Sequence, residues 1–195
     1  IPTAVDVERY RPSDTHNRQI LTVGWIGTPH TSHYLDPLLP VFGRLRERFD
    51  VRFIAVGANE SDVVETPVEA WPWTAETEVT TIQQFDIGIM PLSDNPWERG
   101  KCGYKLIQCM ACGIPVVASP VGANREIVKS GLNGFLAEDG YWEAALEKLL
   151  SDGELRRRFG QQARKDVEGW YCTQIQAPRF LEVLQHAGSI SKHKT

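Results

Sequence analysis

Residues 98–122 read Glu98-Arg-Gly-Lys-Cys-Gly-Tyr-Lys-Leu-Ile-Gln-Cys-Met-Ala-Cys-Gly-Ile-Pro-Val-Val-Ala-Ser-Pro-Val-Gly. The order is a glycine-containing loop, a short helix with lysines near its start, a helix stop and a buried strand. Cys112-Gly113 followed by Pro115 ends the helix, because glycine accepts a left-handed cap and proline cannot continue the turn. Pro115-Val-Val-Ala-Ser is a short apolar run, the signature of a parallel strand covered on both faces. A helix start carries free N–H groups and attracts anions, phosphate above all. If the helix begins near Lys101, then Lys101, Lys105, Gln108 and Cys112 share one face, and Leu106, Cys109, Met110 and Gly113 share the buried one. Two lysines four apart repel by a few tenths of a kcal/mol on a bare helix. A diphosphate between them reverses that sign; the plainer reading is a solvated lysine face.

Outward from this run, strand and helix patterns alternate. Ile20–Gly27 reads as a strand entering a Gly-x-x-Gly turn, and Thr28–Phe49 as a helix with Pro37 in its first turn and a kink at Pro40. Val51–Gly57 is a second strand. Val68–Trp73 is a short one that Pro72 confines to an edge. A helix over Glu76–Gln84 and a buried strand over Asp86–Leu92 precede the central run. Asn124 is expected to cap a short helix ended by Gly131, and Asn133-Gly-Phe-Leu-Ala to form a last small strand. Helices over 141–151, 153–168 and 173–186 close the pattern. The expectation is an α/β fold, a Rossmann-like doubly wound parallel sheet, with its ligand outside the carboxyl ends of the strands. Gly27, Gly57, Trp73, Leu92 and Ser119 fall at those ends.

At 195 residues the chain is long enough to bury a real core. A net charge of −4 argues against nucleic acid as a main partner. No apolar run approaches a membrane span. Cys102, Cys109, Cys112 and Cys172 lack paired zinc-ribbon spacing, and three of them crowd one helix, so small buried thiols in a reducing cytosol are expected. The chain opens Ile1-Pro-Thr and its methionines are Met90 and Met110, which reads as a processed chain or a fragment, with polar, proline-containing residues 1–19 as a linker.

With these residues in view, the chain resembles glycosyltransferase family 4. Residues 1–12, Ile-Pro-Thr-Ala-Val-Asp-Val-Glu-Arg-Tyr-Arg-Pro, look like the linker entering the C-terminal domain of those two-domain GT-B enzymes. Residues 110–128, Met-Ala-Cys-Gly-Ile-Pro-Val-Val-Ala-Ser-Pro-Val-Gly-Ala-Asn-Arg-Glu-Ile-Val, are similar to the family's most recognisable run, and Asn133-Gly-Phe-Leu to its continuation. The helix from Trp170 resembles its closing helix. The resemblance implies the nucleotide-sugar-binding half of a retaining glycosyltransferase. The divisions would be residues 1–19 as interdomain linker, 20–168 as the donor domain and 169–195 as closing helix with a polar tail. It implies a UDP-, GDP- or ADP-linked donor and no metal or other cofactor. The acceptor, a sugar, lipid or protein, would be held by an N-terminal domain missing here. The location would be cytoplasmic, with the inner membrane face as a peripheral station of the full-length protein. The isolated chain is expected to bind donor and transfer nothing.

The family's motif carries over unevenly. Gly100 and Gln108 stand where the family has two glutamates, one near the donor sugar and one on the ribose. Gln108 can still bond ribose hydroxyls without a carboxylate's charge. Gly100 replaces nothing, and Glu98 is either its substitute or a solvated loop charge. Trp25-Ile-Gly-Thr-Pro-His stands where a basic residue is expected, which leaves Lys101 and Lys105 to meet phosphate; Lys105 also fits a Lys-Leu-x-Glu-Tyr variant. The binding set is therefore Gly27, Thr28, Trp73, Glu98, Gly100, Lys101, Gly103, Lys105 and Gln108, with no catalytic residue assigned. Backbone N–H groups at Gly27 and Thr28 are candidates for phosphate contact, and Trp73 lies where the family holds the base through its backbone. Asp86 and Glu126 read as structural, His30 as a solvated loop residue or a contact to sugar or phosphate, and Arg99 as a phosphate contact or a solvated charge. Two other classes share the pattern. One is a non-catalytic nucleotide-sugar-binding or assembly module, which the lost glutamates would suit. The other is a flavodoxin- or receiver-like domain, though a receiver needs an acidic cluster that Gly24–Gly27 does not supply.

Overall fold

The computed structural model describes residues 1–13 and 19–191, so residues 14–18 of the expected linker and 192–195 of the expected tail lie outside the described residues. Six strands form one sheet: β1 (Leu21–Ile26), β2 (Val51–Val56), β3 (Val68–Trp71), β4 (Ile87–Met90), β5 (Val116–Ala118) and β6 (Gly134–Leu136). Their order is β3-β2-β1-β4-β5-β6, and every pair is parallel. The chain builds outward from β1 to the β3 edge, then restarts on the other side of β1 with β4. The crevice between β1 and β4 is thus the switch point where such sheets take ligands.

Among the described residues, eight α-helices accompany the sheet: α1 (Leu39–Arg46), α2 (Glu78–Ile82), α3 (Pro96–Arg99), α4 (Tyr104–Ala111), α5 (Asn124–Ile127), α6 (Trp142–Ser151), α7 (Gly153–Asp166) and α8 (Thr173–Ser191). One face carries α4 with Ile54, Val56 and Phe85, and the other carries α1 and α6 with Phe42, Phe53, Trp142 and Leu146. Along the β1–β4 seam, Gly24 pairs with Gly88. A Cβ on Gly24 would meet the Phe85 ring at 2.3 Å, and one on Gly88 would meet Cys109 Sγ at 2.9 Å. Glycine there lets α4 lie directly on the strands.

Several expectations change in detail. The helix after β1 is a 3-10 stretch, Pro29–Leu38, with Pro37 inside it, and Pro40 opens α1 rather than kinking it. Proline fits a helix start, where its missing N–H costs nothing. Asn124 does not cap α5; Ala123 does, and buried Asn124 donates from Nδ2 to Ser119 O at 3.0 Å. The opening residues are no polar tether. Val5, Val7 and Tyr10 are buried, and Val5 N donates to Tyr171 O at 2.9 Å. The Arg164 guanidinium donates to Val7 O, Tyr10 O and Ala111 O, fastening the start of the chain to the end of α4. Cys109, Cys112 and Cys172 are buried free thiols and Cys102 is exposed. Burial pushes the Cys109 thiol up to about 12, so it is inert.

Candidate functional site

A cleft of about 530 Å³ opens at the carboxyl ends of the central strands. Ile26 and Gly27 at the end of β1 and Met90, Pro91 and Leu92 at the end of β4 line its inner side, so it occupies the switch point. The loop Gly100–Gly103 and the first turn of α4 line one wall, and Trp73 beyond β3 stands at the other end. Of the nine residues singled out from sequence, Gly27, Thr28, Trp73, Gly100, Lys101, Gly103 and Lys105 line this cleft.

Helix α4 begins three residues later than expected, at Tyr104, because Gly103 takes a left-handed φ of 70°. A Cβ there would also meet Ile127 Cδ1 at 2.2 Å. The turn brings Tyr104 and Lys105, the first residues of α4, into the wall of the cleft, so the positive end of the helix borders it. Lys101 therefore lies before the helix and Lys105 on it, so they share no helical face. Gln108 and Cys112 are buried rather than on a lysine face.

The Gly27 amide donates to Val56 O at 3.0 Å and the Thr28 amide to Thr31 Oγ1 at 3.0 Å. Both are engaged within the fold; the turn lends the cleft its shape, with Gly27 close under the Trp25 ring.

Lys105 belongs to a polar cluster beneath the cleft. Its Nζ lies 3.3 Å from Glu78 Oε1, and Trp73 Nε1 donates to the same oxygen at 3.0 Å. Tyr10 donates to Glu78 Oε2, and Gln108 Nε2 donates to Tyr10 Oη at 2.7 Å. Burial pushes the Glu78 carboxyl up, but the bonds from Tyr10 and Trp73 outweigh it and hold Glu78 below its ordinary value. Burial and the Glu78 carboxylate raise the Tyr10 phenol well above its ordinary value. Gln108, fully buried, is thus turned to Tyr10 and away from the cleft, and its Oε1 has no partner.

Glu98 is no solvated loop charge either. It is 5% exposed, receives the Tyr34 hydroxyl on Oε1, and keeps Oε2 buried without a partner. Tyr34 is pushed up to about 12, by burial first and by Glu98 second. Lys101 Nζ donates to Tyr34 Oη at 3.2 Å and sits 4.3 Å from the ring centroid. Tyr34 also borders a neighbouring cavity of about 410 Å³ that contains Arg125, Glu138 and Asp139.

Tyr10, Tyr34 and Glu78 were missed from sequence. Glu78 had a signal: on a helix over 76–84 it is four residues before buried Ile82, a charge on the apolar side. Tyr34 carried none, since its partners are 64 and 67 residues away. Asp86 is structural as read, accepting the Thr22 amide at 2.8 Å. Arg99 pairs with Asp94 at 2.6 Å and His30 is exposed.

Comparison with known proteins agrees with this geometry. Residues 17–152 match the family described as Glycosyl transferases group 1. The chain belongs to that family. A 73-residue stretch is 36% identical to N-acetyl-alpha-D-glucosaminyl L-malate synthase of Bacillus anthracis, covering 36% of this chain and 19% of that protein. Over 146 residues it is 28% identical to D-inositol 3-phosphate glycosyltransferase of Pseudarthrobacter chlorophenolicus, covering 71% of this chain and 33% of the relative. The group 1 chain thus spans well under half the length of these relatives. Among solved structures, the C-terminal domain of the group 1 protein LpcC from Francisella tularensis superposes with a TM-score of 0.65 at 19% identity, over 87% of this chain and 99% of that one. HepE from Anabaena, in complex with UDP and glucose, gives 0.77 at 17% identity, over 93% of this chain and 55% of HepE. At such identities these matches speak for the fold, the GT-B type of α/β unit. Among the described residues no helix is long and apolar enough to cross a membrane.

Proposed function

We propose that this group 1 domain is the donor-binding, C-terminal half of a retaining, metal-independent family 4 glycosyltransferase. In this reading residues 1–19 enter from an acceptor-binding domain, residues 20–168 bind the nucleoside-diphosphate sugar, and residues 169–195 close the unit. The observation that carries it is the switch-point cleft, where the first turn of α4, Lys101 and Lys105 converge. In the transfer, the anomeric carbon exchanges its bond to the diphosphate for one to an acceptor oxygen. Negative charge builds on the departing diphosphate, and helix amides with lysine ammonium groups stabilise it without a metal. A base belongs toward Trp73, whose indole N–H is tied to Glu78. HepE, similar in fold, is described in complex with UDP, which makes uracil the first base to try. The acceptor, a sugar, lipid or protein, and any peripheral membrane station on the cytoplasmic side belong to the full-length protein.

Calorimetric titration of the chain with UDP, GDP, ADP and their sugar conjugates tests the reading. One diphosphate should bind, and Lys105→Ala should weaken it by roughly tenfold, the effect of one lost charge-assisted hydrogen bond. Absence of binding by all of them would overturn it for this chain. A second reading, a binding module without catalysis, is favoured by Gly100 in place of a carboxylate and by Gln108 turned away from the cleft. Gly100 has φ −79°, which any residue can adopt, and a Cβ there would meet Trp97 O at 3.3 Å, a tight contact that a shift of a few tenths of an ångström relieves. In the full-length protein, Gly100→Glu should create transfer activity if the module is a degraded enzyme and reduce donor affinity if the site is tuned without that carboxylate.

A further inference from the structure

We propose that Tyr34 and Glu98 are a positioning pair that holds the Lys101 ammonium in the cleft for the second phosphate of a nucleoside diphosphate. This rests on the reading of the cleft given above, adds Tyr34, to which no motif of the chain points, and gives Glu98 a role through it.

The phenol proton of Tyr34 is committed to Glu98 Oε1, so its oxygen faces Lys101 as an acceptor, and Lys101 Nζ lies 3.2 Å away. The same ammonium rests 4.3 Å from the ring centroid, a cation–π contact. A free lysine loses rotamer freedom when a ligand orders it; one already seated on a fixed ring has lost much of that beforehand. An ammonium has three donors. Tyr34 takes one, which leaves the others for a ligand in the cleft that Lys101 lines.

Glu98 supplies the second observation. A carboxylate that is 5% exposed, with Oε2 buried and unpartnered, is costly to keep. Its return is a fixed, polarised Tyr34. The ends of the cleft order the ligand. Lys105 shares a Glu78 oxygen with Trp73, while Lys101 stands beside Tyr34. With the nucleoside toward Trp73, the second phosphate lies on the Lys101 side.

The experiment is calorimetric titration with UDP, GDP and ADP and with UMP, GMP and AMP, on the unmodified chain, Tyr34→Phe, Lys101→Met and the double variant. Tyr34→Phe keeps the ring and removes the hydroxyl. It should raise the diphosphate Kd roughly fivefold to tenfold and leave the monophosphate Kd within about twofold. On the Lys101→Met background the same change should add nothing, because the tyrosine acts through the lysine. Glu98→Gln, which keeps an acceptor for Tyr34, should retain most of the affinity. Lys101→Met leaves the buried pair intact and should by itself erase the preference for diphosphate, so the idea remains testable should Tyr34→Phe fail to fold.

An unchanged preference in Lys101→Met overturns the inference. So does equal weakening of mono- and diphosphate by Tyr34→Phe, or an effect that adds in full to Lys101→Met. If the unmodified chain binds none of the six nucleotides, the donor-site reading falls and this inference with it. If it binds one and Lys105→Ala weakens that binding while Tyr34→Phe does not, only the positioning pair falls.

Discussion

Glu78 is where the residue scale is most informative. One carboxylate receives Tyr10 on one oxygen and Trp73 with Lys105 on the other, so three side chains depend on a single one. Glu78→Gln keeps the volume but offers one acceptor oxygen where two are used, and removes the counter-charge of Lys105. The variant should be less stable by about 1–3 kcal/mol at neutral pH, read by denaturant unfolding. The folded value of Glu78 is held below its ordinary value, so the stabilisation is present above the unfolded value of about 4.3 and disappears as pH falls through the folded one. The gap between the two proteins should therefore narrow as the pH is lowered from 7 toward about 3. A constant gap would mean that the carboxylate charge contributes nothing. Only its place on the apolar side, four residues before Ile82, was legible beforehand; its partners were not, because they meet it through the fold.

At the scale of elements, two helical glycines make opposite predictions for one chemical change. Gly160 of α7 lies against the turn after α4, and a Cβ there would sit 2.0 Å from Gly113 O. Backbone cannot rotate aside, so Gly160→Ala should push α7 off the sheet and cost about 1–3 kcal/mol. Gly43 of α1 has nothing within 4 Å of its Cβ position. There Gly43→Ala should stabilise by about 0.4–1 kcal/mol, through the lower entropy of the unfolded chain. Thermal unfolding of both variants checks the pair: one midpoint should fall and the other rise, and equal signs would contradict this account of the α7 contact. Element type was readable in most places, since the 2-residue and 3.6-residue periods leave their mark locally. Element starts were less so. Proline at 40 was compatible with a kink or a beginning, and Gly103 shifted the start of α4 by a conformation that its neighbours impose.

For the whole molecule, the two ends of the chain differ. The first residues are part of the core: Val5 pairs with Cys172, and Arg164 binds three of the surrounding carbonyls. The middle of α8 is different, with Phe180, Leu181, Val183 and Leu184 all 52–55% exposed. Leu181→Ser together with Leu184→Ser should change the stability of this chain by no more than about 0.5 kcal/mol per site. A drop of several degrees in the midpoint would show that α8 carries packing energy within this unit. In contrast, Val5→Ala removes a side chain that is 2% exposed and serves as the positive control, with a loss of about 1 kcal/mol or more.

Local order along the chain was enough for the strand-helix alternation, the parallel sheet, the cleft at its carboxyl ends and the two lysines in it. Each follows from a periodicity, a helix stop or a glycine, all of which act within a few residues. Which side chains meet was decided by the tertiary structure alone. Gln108 turns to Tyr10 across 98 positions, and Lys101 to Tyr34 across 67. Such pairs arise only when β1 and β4 lie side by side and Gly103 sets the start of α4. The polar network and the seated lysine are therefore properties of packing, and packing writes no local pattern into the sequence.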